Sequence, residues 1–101
     1  MAKLENWLKK QEKWSSKTFG HGRRTLGLLE HIRRELVEIE ERPNDLGEWI
    51  DVVILALDGF WRHGGNPDSV MEYLTAKHRE NFLRRWPKPN SEHEAVEHIR
   101  G

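Results

Sequence analysis

Four acidic residues stand in two pairs that share one spacing, and side chains spaced this way could hold a metal ion. The pairs are Glu35 with Glu38 and Glu48 with Asp51, each three residues apart. On a helix, this spacing places both members of a pair on one face. The second pair lies in the most apolar stretch of the chain, where an unpaired carboxylate is strongly unfavourable. The sequence therefore predicts something positive beside these acids.

The connection between the two pairs is short, so their helices are expected to be antiparallel neighbours with the four carboxylates at one level. Two unit charges about 5 Å apart repel by on the order of 3 kcal/mol at an effective dielectric near 20. Either some of the acids are protonated or a cation is bound. Oxygen ligands without cysteine or paired histidine favour Mg²⁺ or Mn²⁺ over zinc.

Composition indicates one small domain over residues 1–101. Seventeen basic and seventeen acidic residues cancel, which argues against a nucleic-acid polymer as partner but not against a free nucleotide. Apolar residues make up 36%, which is a low share for building the core of a small monomer. A homo-oligomer is therefore expected. The chain has no cysteine for disulfides and no apolar run of membrane-spanning length. Its polar N-terminal stretch does not resemble a signal peptide, so a cytoplasmic location is expected.

Hydrophobic periodicity predicts four helices and no strand, hence an all-α helical bundle. The predicted helices cover residues 3–17, 25–41, 45–63 and 66–85. Asp45 is expected to cap the third helix in a capping box with Glu48, and Asn66-Pro67 is expected to start the fourth. Residues 87–101 are predicted to form a polar C-terminal arm.

The third helix is apolar nearly all round, which predicts a central, buried helix. After its cap, its charged residues are Glu48, Asp51, Asp58 and Arg62, and all four fall within an arc of about 80°. Asp58 and Arg62 have the i,i+4 spacing of an internal ion pair, with metal ligation by Asp58 as the alternative. The helix thus carries one polar stripe, and that stripe is mostly acidic.

The fourth helix carries a positive stripe. Lys77, Asn81 and Arg84 lie within about 60° of one another on the helical wheel. Beside a metal–carboxylate cluster, such a row of groups is suited to a polyphosphate, and the alternative is a solvated surface stripe. Trp86 follows the stripe and could stack on a base, as could Trp7 or Phe19.

These motifs carry a family resemblance. The segments ELVE (residues 35–38) and EWID (residues 48–51) resemble the ExxE and ExxD metal motif of the MazG-like, all-α nucleoside triphosphate pyrophosphohydrolases. From about residue 19 to the end, the chain is more closely similar to the small phage and bacterial dATP/dGTP pyrophosphohydrolase family. That family's KxxxNxxRxWP pattern falls on residues 77–87, and its closing E-H-hydrophobic-R pattern falls on residues 97–100.

The resemblance implies a MazG-like four-helix bundle completed by assembly into a dimer or tetramer. It implies Mg²⁺-dependent hydrolysis of a (deoxy)nucleoside triphosphate, on the family's pattern dATP or dGTP, to the monophosphate and pyrophosphate. It implies Glu35, Glu38, Glu48 and Asp51 as metal ligands, and we expect Glu38 and Glu48 to be catalytic, with Glu38 a candidate general base. The expected substrate-binding residues are Lys77, Asn81, Arg84 and Trp86. The alternative is a helical oligomer that binds nucleotides without turnover.

Overall fold

The computed structural model describes residues 2–100, in which four α-helices account for most of the chain. The helices are Lys3–Phe19 (α1), Thr25–Glu41 (α2), Leu46–Arg62 (α3) and Val70–Leu83 (α4). Within the described range the extended pairing is an isolated antiparallel bridge between Arg85 and Ile99. The all-α prediction is confirmed. None of the helices in this range is long and apolar enough to cross a bilayer.

At the start of α3, one of the two hydrogen bonds of the predicted capping box is replaced by another. The Asp45 carboxylate accepts a hydrogen bond from the Gly47 backbone N–H at 3.1 Å, as an N-cap residue should. The backbone N–H of Asp45, however, donates to the carbonyl of Arg42 rather than to Glu48. The Glu48 side chain is therefore not used by the cap and faces other carboxylates.

The predicted start signal of the fourth helix begins a 3₁₀ turn, and the α-helix itself begins three residues after Pro67. Asn66 caps a 3₁₀ turn, Pro67–Ser69, by accepting from the Asp68 backbone N–H at 2.9 Å. The Ser69 N–H then donates to the Asn66 carbonyl, which is the tighter i→i+3 pattern. The α-helix begins only at Val70 and ends at Leu83.

The chain forms two compact units, Met1–Val70 and Met71–Gly101. In the first unit α2 packs along α3, and α1 contacts both α3 and the 3₁₀ turn. A salt bridge between Lys9 and Asp68 links α1 to that turn. The second unit contains most of α4 and the C-terminal segment.

The apolar core of the single chain is small. Among residues 2–100 the buried apolar residues are Leu8, Leu28 and Val70, whereas five polar residues are buried. The prediction that α3 is buried on every side is wrong for the single chain, because α1 and α2 cover only part of its circumference. Large apolar side chains on α2 and α3 remain exposed: Leu26, Leu29, Leu36, Val37, Leu46, Trp49, Ile50 and Val53.

Candidate metal centre and adjoining cavity

Three of the four predicted metal ligands come together where α2 and α3 face each other. Glu35 and Glu38 lie in the second half of α2, and Glu48 lies in the first turn of α3. Each offers a carboxylate oxygen, and these oxygens all lie within 4.8 Å of one another. We call these three residues the acid cluster. The i,i+3 spacing and the short α2–α3 connection produce this geometry, as the sequence indicated.

The acid cluster is largely shielded from solvent. Glu35 and Glu48 are each only 9% exposed, and Glu38 is half-buried. The fourth predicted ligand, Asp51, is exposed and lies outside the group of three. Its charge nevertheless contributes to raising the pKa of Glu35. Asp51 therefore belongs to the electrostatics of the site, and no described contact makes it a fourth member of the cluster.

Mutual proximity disfavours ionisation of the cluster. A hydrogen bond with Glu38 is the main cause that raises the pKa of Glu48 to about 7, followed by burial and the negative charge of Glu38. Burial is the main cause that raises the pKa of Glu35, followed by its hydrogen bond and repulsion with Glu38. Below about pH 7 the Glu48 carboxyl therefore keeps its proton in the metal-free protein.

Nearby basic side chains compensate the negative charge of the cluster only in part. Arg42 lies 3.5 Å from a Glu48 oxygen and is itself exposed, while His31 lies 3.4 Å from a Glu35 oxygen. Two further arginines of α2, Arg33 and Arg34, pair with Glu30 and not with the cluster.

One oxygen of the cluster has no hydrogen-bond partner. Glu35 Oε2 is buried and unpaired among the described residues, which is costly for a carboxylate oxygen. An unpaired oxygen beside two further carboxylates fits a hard divalent cation such as Mg²⁺ or Mn²⁺. On this observation the residues present fit the expected metal.

A cavity of about 270 Å³ opens beside the cluster, between α1, α2 and α3. Glu35 belongs to both the cluster and the cavity wall, so the two form one continuous site. The apolar part of the wall includes Leu28, Ile54 and the two aromatic rings of Trp14 and Phe19. The polar lining residues are Gln11, Arg24, His31, Glu35, Asp51 and Asp58.

Asp58 is the centre of a buried polar network at this cavity. It is 4% exposed and accepts hydrogen bonds from Gln11 Nε2 at 3.2 Å, from Ser15 Oγ and from Trp61 Nε1 at 3.0 Å. The predicted ion pair with Arg62 is present, with Arg62 Nε 3.6 Å from Asp58 Oδ2. Asp58 is thus engaged by protein donors, and the alternative of metal ligation receives no support from this geometry.

Arg62 extends the network to the α1–α2 connection. Its guanidinium donates to the carbonyls of Gly20 at 3.0 Å and Gly22 at 2.9 Å, and to Ser15 Oγ at 2.8 Å. Both glycines have positive φ, which only glycine adopts without strain. Ser15 was assigned no role from the sequence, because its neighbours Lys13, Ser16 and Lys17 are polar and nothing in the local pattern marks it as buried.

The residues predicted to bind substrate lie in the second half of α4 and just beyond its end, in the second unit. Glu80 lies between the predicted cations, 2.7 Å from Arg84 Nη2 and 3.5 Å from Lys77 Nζ. The indole N–H of Trp86 donates to the carbonyl of Asn81 at 2.8 Å, and its ring packs edge-on against His98. The basic stripe (Lys77, Asn81, Arg84) therefore has an internal acidic partner that the helical wheel did not reveal.

Comparison with known proteins supports the resemblance that the motifs carry. The family model of the dATP/dGTP pyrophosphohydrolases matches residues 7–101. The chain belongs to this family. The match covers the acid cluster, the cavity and the basic stripe, and the helical structure is consistent with a MazG-like fold. No curated protein and no solved structure matches the chain significantly.

Proposed function

We propose that this protein hydrolyses a purine deoxynucleoside triphosphate to the monophosphate and pyrophosphate, with Mg²⁺ or Mn²⁺ bound at Glu35, Glu38 and Glu48 and with Asp51 beside them. The observation that carries the proposal is the acid cluster itself. Three carboxylates lie within 4.8 Å, two of them largely buried, and one buried oxygen lacks a partner. In a chain of the dATP/dGTP pyrophosphohydrolase family, a triphosphate is the substrate that such a site suits.

The reaction breaks the anhydride bridge between the α- and β-phosphates. Water forms a new P–O bond at one of the two phosphorus atoms of that bridge, and pyrophosphate and the monophosphate separate. A divalent cation held by Glu35, Glu38 and Glu48 would neutralise phosphate charge and lower the pKa of the attacking water. Glu38 is half-buried and lies beside Glu48, and we assign it as the base that accepts the proton from water. Glu48 would help to hold the cation as a deprotonated carboxylate.

We propose that the basic stripe binds substrate phosphates. Lys77 and Arg84 present donors suited to phosphate oxygens, with Glu80 as their partner in the absence of substrate. Asn81 adds an amide, and Trp86 lies next to the stripe. Substitution of Lys77 by Ala should raise KM for the triphosphate more than it lowers kcat.

We further propose a homo-oligomer that covers the exposed apolar surface of α2 and α3. Trp49 and Ile50 are about half exposed on α3, and Leu36 and Val37 are about half exposed on the adjoining helix. Large apolar side chains exposed in such number are unusual on a stable monomer and typical of subunit interfaces.

The experiment that tests the activity is a panel of deoxynucleoside and ribonucleoside triphosphates with Mg²⁺, in which pyrophosphate and monophosphate are measured separately. The proposal expects pyrophosphate and monophosphate in equal amounts from dATP or dGTP. Release of inorganic phosphate instead would contradict the assigned bond. Nucleotide binding without any product would favour a non-catalytic nucleotide-binding oligomer.

A further inference from the structure

The cavity beside the acid cluster has the size and lining of a nucleobase pocket. Its volume of about 270 Å³ is sufficient for a purine ring, and Glu35 joins its wall to the metal centre. Trp14 and Phe19 line it with their rings 5.6 Å apart and nearly perpendicular. Both rings are about half exposed, and the guanidinium carbon of Arg24 lies 5.2 Å from the centre of the Phe19 ring. Aromatic surface of this kind can pack against a base.

The structure fixes the orientation of one amide in this wall. Gln11 Nε2 lies 3.2 Å from Asp58 Oδ1. An ionised carboxylate only accepts hydrogen bonds, so the nitrogen of the amide, and not its oxygen, must face Asp58. No described residue donates to Gln11 Oε1. That leaves a hydrogen-bond acceptor and the second amide N–H available to a ligand.

The Asp58 carboxylate that accepts from Gln11 is itself held by further donors. Ser15 and Trp61 also donate to its carboxylate, and Arg62 lies beside it. Asp58 and Arg62 are both buried. Their hydrogen-bond network on α3 therefore fixes the position of the Gln11 amide. Asp58 is therefore a positioning residue for Gln11.

We propose that the cavity receives the purine base of the substrate, and that Gln11 recognises adenine by accepting a hydrogen bond from its amino group. This inference rests on the proposed function. One glutamine amide can pair with the adenine amino group and the adjacent ring nitrogen together. Guanine carries an oxygen acceptor where adenine carries the amino group, so the Gln11 oxygen would face a second acceptor instead of a donor. Discrimination of this type is large because the unpaired partner stays desolvated.

The test compares dATP with the triphosphate of purine 2′-deoxyriboside, which lacks the amino group, in wild type and in Gln11→Leu. We expect wild type to prefer dATP by at least about tenfold in kcat/KM. In Gln11→Leu this ratio should fall towards one. Asn6→Leu, which removes an exposed amide from the same helix outside the cavity, is the matched control and should keep the wild-type ratio.

Asp58→Asn tests the positioning role through the same ratio, because an asparagine can present either its oxygen or its nitrogen to Gln11. We expect a ratio between those of wild type and Gln11→Leu. A wild-type ratio in Gln11→Leu would overturn the proposal, and so would equal use of the two triphosphates by wild type.

A binding measurement separates this proposal from the proposed function. Calorimetry with the α,β-methylene analogues of both triphosphates reports base recognition without turnover. If these analogues bind with the expected preference while dATP is not hydrolysed, the proposed function fails and the assignment of Gln11 stands. If dATP is hydrolysed with no preference in either assay, only the assignment of Gln11 fails. If neither analogue binds and dATP is not hydrolysed, both are overturned.

Discussion

Replacing Arg62 by Met should destabilise the protein far more than removal of a surface arginine. The Arg62 side chain is fully buried, and the side chain of its partner Asp58 is 5% exposed. Met keeps most of the apolar volume but leaves the Asp58 carboxylate without its positive partner. Breaking a buried ion pair from one side costs about 3–5 kcal/mol. The substitution also removes the hydrogen bonds to the Gly20 and Gly22 carbonyls, which hold the α1–α2 connection.

Urea unfolding at one fixed protein concentration is the assay, because an oligomer would make the midpoint depend on concentration. With an m-value of about 2 kcal/mol per molar urea, the expected loss shifts the midpoint by roughly 2 M. The control is Arg33→Met, which removes an exposed pair with Glu30 at 3.9 Å. Exposed pairs contribute about 0–1 kcal/mol, so this midpoint should move little.

A second variant tests the physical cause. In Asp58→Leu/Arg62→Met both charges are removed, and a part of the lost stability should return because no unpaired buried charge remains. If Arg62→Met moved the midpoint no further than Arg33→Met, the network around Asp58 would not be the buried scaffold described above. If the double variant were less stable than Arg62→Met, the unpaired carboxylate would not be the cause of the loss.

Further predictions concern the acid cluster and the apolar surface. In metal-free protein the pKa of Glu48 is raised, so the folded state binds more protons than the unfolded state between pH 4.5 and about 7. Thermal stability should therefore fall as pH rises through that window, and added Mg²⁺ should reduce the fall. A rise in stability with pH would contradict the assigned pKa direction. For the same reason Glu48→Gln should raise the metal-free melting temperature at pH 8, measured by circular dichroism, while it removes activity, and a lower melting temperature would contradict this. Leu36→Glu should lower the mass measured by light scattering to that of a smaller assembly, and an unchanged mass would place the interface elsewhere.

Local sequence rules accounted for the part of the site that lies on two adjacent helices. Pro43 marks the end of α2, and the Asp45 cap marks the start of α3. Helical spacing and this short connection then bring Glu35, Glu38 and Glu48 opposite one another. The start of α4 was missed because Asn66-Pro67 is equally compatible with a 3₁₀ turn, and only the contacts of that turn decide between them.

Long-range contacts explain what the sequence could not show. The hydrogen bonds from Gln11 and Ser15 to Asp58 join residues more than forty positions apart, and no local pattern encodes them. The helical wheel grouped Asp58 with Asp51 on one stripe. In the structure α1 covers Asp58, whereas Asp51 remains exposed. Likewise, a wheel of Lys77 and Arg84 does not show that Glu80 bridges them.

The central claim is that the acid cluster holds the divalent cation that triphosphate hydrolysis requires. The most direct measurement is the rate of pyrophosphate release from dATP as Mg²⁺ is titrated, in wild type, Glu48→Gln and Glu30→Gln. Glu30 lies on the same helix as Glu35 but is exposed and paired with arginines, so it is a matched carboxylate control. We expect Mg²⁺-dependent release that falls by at least about 100-fold in Glu48→Gln and is unchanged in Glu30→Gln. Equal activity and equal Mg²⁺ dependence in all three proteins would contradict it.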